Sequence, residues 1–91
     1  MLYAIICIDK PGAIDLRKAN REAHLAHIKS TEGRIVQAGP FLDGAGEMCG
    51  SLLIYEAAER GEVEAWAAAD PYAAAGLFES VEIRAWNRVV G

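Results

Sequence analysis

Seven consecutive apolar residues, Leu2 to Ile8 (LYAIICI), stand near the start of the chain and stop abruptly at Asp9-Lys10-Pro11-Gly12. A run this short, rich in Ile and closed by a Pro-Gly breaker, reads as a strand. It is apolar at odd and even positions alike, so both of its faces need cover. Gly50 to Glu56 (GSLLIYE) repeats the pattern. Two strands must therefore be covered on both sides within 91 residues, a length that buries only about two-thirds of the surface of the unfolded chain. With 53% apolar residues and a mean hydropathy of +0.11, the chain carries more apolar surface than one thin core absorbs, which favours self-association.

The remaining elements follow from composition and punctuation. Asp15 to Ser30 holds Ala, Leu, Arg, Lys, Glu and His without Gly or Pro, which predicts one helix with Asp15 as N-cap and Gly33 as the stop beyond its end. Ile14, Leu25 and Ile28 fall on one apolar stripe, and Leu16, Ala19, Ala23 and Ala26 on a second. Between them Arg17, Arg21 and His24 recur at i, i+4 and i+7, a polar seam beside the core-facing side. Arg34 to Phe41 reads as a strand ending at Gly39-Pro40, and Leu42 to Met48 as a turn-rich loop. Glu59 to Ala69 predicts a second helix that must end before Pro71, with one further turn from Tyr72 to Gly76. Glu79 to Val90 alternates, with Val81, Ile83 and Ala85 on one face and Glu82, Arg84, Trp86 and Arg88 on the other.

The order β-α-β-β-α-β is the split arrangement of a ferredoxin-like α+β fold, with an antiparallel sheet and both helices on one face, in a single domain over residues 1–91. Two helices cover only that face. The sheet of a second subunit is the simplest cover for the other, so a homodimer or higher homo-oligomer is expected.

Charge and motifs exclude several function classes. The net charge is −4 and the nine Lys and Arg are scattered, so no basic stripe invites nucleic acid. An RNA-binding ferredoxin-like module would need a basic face and aromatic-bearing central strands. No apolar run approaches the ~20 residues that cross a bilayer, and Leu2 to Ile8 lacks the flanks of a signal peptide; a cytoplasmic protein is expected. No Gly-rich phosphate loop, nucleophile elbow or dinucleotide fingerprint is present, and no cofactor is expected. Cys7 and Cys49, without C-x-x-C spacing, read as free thiols. Tyr3, Tyr55, Trp66 and Trp86 read as core or interface.

Chemistry is carried by few residues. His24 and His27 are the only histidines, and with no third ligand spaced to join them no metal site is expected. By composition alone His24 reads as a surface or half-buried histidine without a task. Its functional reading rests on an imidazole that takes and gives protons near neutrality, provided a carboxylate fixes its tautomer. Asp70, in Asp70-Pro71-Tyr72, is the candidate carboxylate, although Asp-Pro also simply initiates turns. Arg21, one turn before His24, would dock a substrate anion in a bidentate fork or pair with a surface Glu. Gly39, Pro40 and Gly50 would let a ligand approach the backbone, or merely end strands.

Taken together, Arg21-x-x-His24-Leu25-x-His27, Ala38-Gly39-Pro40, Gly50-Ser51, Asp70-Pro71-Tyr72, Ala75-Gly76-Leu77 and the strand Val81 to Trp86 resemble the YciI-like family, in order and over nearly the whole chain. The resemblance implies a dimeric α/β-barrel built from two ferredoxin-like halves, with a cleft centred on a His/Asp pair that maps to His24 and Asp70. It implies lyase-like or isomerase-like activity on small ring compounds. The Leu42 to Met48 loop is shorter than in longer family versions, which bears on the width of any pocket. The expected function is proton transfer on a small molecule, with His24 as base/acid, Asp70 orienting it, and Arg21 and Tyr72 beside Gly39 and Pro40 positioning substrate. The alternative is a non-catalytic ligand-binding or accessory protein using the same cleft.

Overall fold

The computed structural model describes all 91 residues. In chain order the elements are β1 (Leu2–Asp9), α1 (Ile14–Ala19), α2 (Arg21–Lys29), β2 (Ile35–Leu42), β3 (Met48–Glu56), α3 (Arg60–Ala68), α4 (Pro71–Ala74) and β4 (Phe78–Trp86). The four strands form one sheet in the order β2-β3-β1-β4, and every pair is antiparallel. This is the ferredoxin-like α+β fold. The two strands apolar at both parities, β1 and β3, are the two central ones.

Register assigns the faces. Tyr3, Ile5 and Cys7 lie opposite Tyr55, Leu53 and Ser51. With Ala57 after β3 and Val63, Trp66 and Ala67 from α3, these residues except Ser51 make the core, and Ile28 of α2 packs against it. Each large apolar side chain fully buried here contributes about 1.5–3 kcal/mol. Residues of the opposite parity face away from the helices: Ala4 opposite Ile54, and Ile6 opposite Leu52. No helix covers that face: Ala4 and Ile54 at its centre are buried, whereas Ile8, Leu52 and Trp86 remain exposed on it.

Four expectations are corrected. The helix predicted over Asp15 to Ser30 is two helices, because Asn20 sits at φ −111° and ψ 7°, ending α1 and starting α2. Its amide hydrogen-bonds back to the Leu16 carbonyl at 2.9 Å, the local competition with helix geometry that Asn side chains offer. The N-cap position is Ala13, and Asp15 stands in the first turn, where its charge still suits the helix dipole. The break also defeats the stripes drawn through an unbroken helix, so Leu16 and Leu25 are exposed. Finally, the last strand ends at Trp86, and Val89 and Val90 lie in solvent without a strand to pair with.

Candidate functional site

Pro71 sets the site's first member. A proline is tolerated in the first turn of a helix but ends the one before it. The chain leaves α3 at Ala69, extends at Asp70 (φ −60°, ψ 129°) and turns into α4 with Pro71 in its first turn. Asp70 caps α4, its Oδ1 accepting the Tyr72 backbone N–H at 2.9 Å. Both carboxylate oxygens also lie 3.0 Å from Nδ1 of His24 on α2. One side chain thus both caps the turn and lies within hydrogen-bond distance of the imidazole.

The pair is buried, His24 at 6% exposure and Asp70 at 2%. A carboxylate only accepts, so it selects the tautomer with hydrogen on Nδ1 and leaves the Nε2 lone pair free. The imidazole stacks on Tyr72, with ring centroids 4.1 Å apart and planes 19° from parallel.

Arg17 was placed by the sequence in the polar seam but given no role there. It is the buried arginine of the site. Its Nε donates to Asp9 Oδ2 at 2.6 Å, and its Nη2 to Asp9 Oδ1 at 2.8 Å and to Ser51 Oγ at 2.9 Å. Burial works against its charge, but the hydrogen bond and charge of Asp9 outweigh burial and raise its pKa. The guanidinium lies 4.6 Å from the centroid of the Tyr72 ring. Burial raises the Tyr72 phenol above its ordinary value, against the pull of Arg17 and Arg21, so Tyr72 is neutral at physiological pH.

These side chains converge on a cavity of about 120 Å³. A cavity of roughly 150 Å³ accepts a benzene ring, so the space suits a single small ring. Its polar wall is Arg17, Arg21, His24, Tyr72 and Ser51; its apolar wall is Leu25, Ile28, Ala38, Gly39, Pro40, Met48 and Leu53. Of the residues proposed from sequence, His24, Arg21, Tyr72, Gly39 and Pro40 line this cavity, and Asp70 stands behind His24. Arg21 is exposed and joins none of the chain's ion pairs. Arg17, Asp9 and Ser51 were missed. The available signal was a charge, Asp9, at the end of an otherwise apolar strand.

His24 and His27 do not converge on a common ligand. His24 Nδ1 is held by Asp70, and His27 Nε2 lies 2.9 Å from the Trp66 carbonyl. No group of three His, Cys, Asp or Glu is arranged to hold a metal ion.

A profile of the YCII-related domain matches residues 1–87. The chain belongs to the YCII-related family. Protein YciI from Escherichia coli O6:H1 and from Shigella flexneri are both 39% identical to this YCII-related chain over 97 residues, covering 98% of it and 99% of each relative. Among solved structures, 5-chloro-2-hydroxyhydroquinone dehydrochlorinase from Burkholderia phenoliruptrix AC1100, in complex with 2,5-dihydroxybenzoquinone, is 35% identical with a TM-score of 0.90. The match covers 96% of this chain and 94% of that one. A NIPSNAP family protein from Agrobacterium tumefaciens is 22% identical at a TM-score of 0.55, over 91% of this chain and 87% of that one, and shares the fold. A chain of the same fold as this YCII-related protein thus serves as an enzyme on a small ring compound.

Proposed function

We propose that the protein is a small-molecule enzyme that starts its reaction by taking a proton from a ring substrate, with His24 as general base. The observation that carries this reading is the His24–Asp70 pair, buried, joined at 3.0 Å through Nδ1 and bordering a ring-sized cavity. Nε2 accepts the substrate proton, and the Asp70 carboxylate stabilises the imidazolium that results. The electron pair left behind moves onto a ring oxygen. There the Arg21 cation, which joins no ion pair, meets the developing negative charge, beside an Arg17 whose charge Asp9 already balances. The intermediate then either expels a leaving group such as halide, an elimination, or takes the proton back from His24 at another atom, an isomerisation. Neutral Tyr72 offers a hydroxyl to orient a hydroxylated ring. The relative that binds 2,5-dihydroxybenzoquinone supports halogenated hydroxyhydroquinones as the first compounds to try, and ring lactones as the next.

The working protein in this proposal is a homodimer or larger homo-oligomer acting in the cytoplasm. Support for the assembly comes from the uncovered sheet face with Ile6, Ile8, Leu52 and Trp86. Support for the compartment comes from the two unpaired thiols of Cys7 and Cys49. No helix is long and apolar enough to cross a membrane.

The test is turnover of 5-chloro-2-hydroxyhydroquinone, read as chloride release, followed by a panel of ring lactones. His24→Ala and Asp70→Asn should each lower the rate at least ~100-fold while folding normally. Variants as fast as the parent refute the assignment. Ligand binding that persists in both variants, with no turnover by any of the proteins, favours a non-catalytic binding protein.

A further inference from the structure

His27 is the histidine that the proposed chemistry does not use, and its surroundings give it a task. Its Nε2–H donates to the Trp66 carbonyl at 2.9 Å, and the indole Nε1–H of Trp66 donates to the His27 carbonyl at 3.3 Å. The two rings stack, with centroids 4.4 Å apart and planes 14° from parallel. Both accepting carbonyls belong to the last turn of a helix, His27 in α2 and Trp66 in α3, where the i+4 backbone partner is missing; each already accepts one local bond, from Ser30 Oγ and from the Ala69 N–H, and the clasp adds a second. Each side chain therefore adds a bond to the end of the other's helix.

The position of this clasp is what gives it meaning. On α2, His27 follows His24 by three residues, about one turn and roughly 4.5 Å along the axis. On the facing segment, Trp66 precedes Asp70 by four. The two pairs, His24 with Asp70 and His27 with Trp66, therefore make adjacent rungs between antiparallel segments. Asp70 leaves α3 directly beyond the turn that His27 holds. Its backbone N–H bonds to the Ala67 carbonyl rather than to Trp66, whose carbonyl is shared by the Ala69 N–H and His27. The carboxylate's reach toward His24 is thus referred to α2 through the neighbouring rung.

We propose that His27 is a positioning residue: its reciprocal clasp with Trp66 holds the end of α3 against α2, so that Asp70 keeps His24 in the tautomer with Nδ1 protonated. This rests on the reading of His24 and Asp70 as the working pair, but its principal measurement needs no substrate. In ¹⁵N-labelled protein at mildly alkaline pH, long-range ¹H–¹⁵N spectra of the parent should give His24 one fixed tautomer. In His27→Ala, and in Trp66→Phe, which keeps a ring but loses the indole N–H, the two His24 nitrogen shifts should move toward each other as tautomers exchange. His27→Gln, whose amide N–H sits near the position of Nε2, should restore the parental pattern. Turnover should follow, with kcat in His27→Ala about 10-fold to 100-fold lower and KM little changed, the scale expected when a reacting group is misplaced by up to an ångström. A folded His27→Ala protein whose His24 nitrogens resonate as in the parent overturns the inference. So does failure of all three variants to fold, which would make the clasp general packing. An unchanged rate in His24→Ala would instead sink the catalytic reading and leave the spectroscopic result standing.

Discussion

The sharpest stability prediction concerns Asp9→Asn. Arg17 and Asp9 have side chains only 3% and 4% exposed, joined by two hydrogen bonds of 2.6 and 2.8 Å, with Ser51 as a third partner. Asparagine keeps the shape but removes the charge and replaces one acceptor by a donor that faces the guanidinium. Arg17 would stay charged and lose its neutraliser in a place water does not reach. Breaking a buried pair from one side costs about 3–5 kcal/mol. The chain's whole stability is expected at about 5–14 kcal/mol, from ~0.05–0.15 kcal/mol per residue. Each kcal/mol shifts the Tm of a domain this size by about 4–8 °C, so even the lower cost lowers Tm by about 12 °C or more. Urea unfolding followed by circular dichroism should show a lower midpoint at an unchanged slope. The double variant Asp9→Leu/Arg17→Met removes both charges and should recover to within about 1 kcal/mol of the parent, because the pair itself contributes little net stability. A single-variant cost below about 1 kcal/mol, or a double variant worse than either single one, would refute the reasoning.

Gly50 allows no side chain, since a Cβ there would overlap the Cys7 carbonyl oxygen and lie 3.0 Å from the Phe41 ring. Gly50→Ala should cost about 1–3 kcal/mol in urea unfolding as β3 is pushed from β1. Burial first, then the Asp70 charge, pushes the Cys7 thiol from 9.0 up to about 12. The folded chain therefore holds that proton more tightly than the unfolded one, and stability should fall as pH rises from about 9 toward 12, by ~1.4 kcal/mol per unit. Cys7→Ala should flatten this fall and leave the slope below pH 8 unchanged, as unfolding free energies across pH 7–11 will show. Asp70→Asn keeps an oxygen for the Tyr72 N–H, whereas Asp70→Ala loses that cap. The alanine variant should be about 1 kcal/mol less stable in urea unfolding, while both lose turnover.

Much of the fold was legible because local signals and the global pattern agree. The double-sided apolarity of Leu2 to Ile8 and Gly50 to Glu56 identified the central strands, and Asp70-Pro71 marked where α3 must end. Asn20 was not legible as a break, since asparagine is tolerated in helices and its local back-bond to the Leu16 carbonyl is one of several conformations its side chain can take. That break in turn hid Arg17, which an unbroken helix groups with Arg21. Only coordinates show Asp9 reaching the one arginine and leaving the other in solvent. His27 was misleading for a similar reason. Spacing paired it with His24, whereas its partner lies 39 residues away on a different helix.

The two walls of the cavity belong to different stretches of chain. The hydrogen-bonding wall comes mainly from α1, α2 and α4, while much of the apolar wall comes from Ala38, Gly39, Pro40 and Met48, where β2 and β3 approach their hairpin. β2 is an edge strand, so its residues answer to few neighbours. Substitutions or length changes in this hairpin can reshape the mouth while His24, Asp70 and Arg17 keep their supports. On the proposed reading, such a division separates selectivity from chemistry and makes the hairpin the first segment to randomise when seeking new substrates.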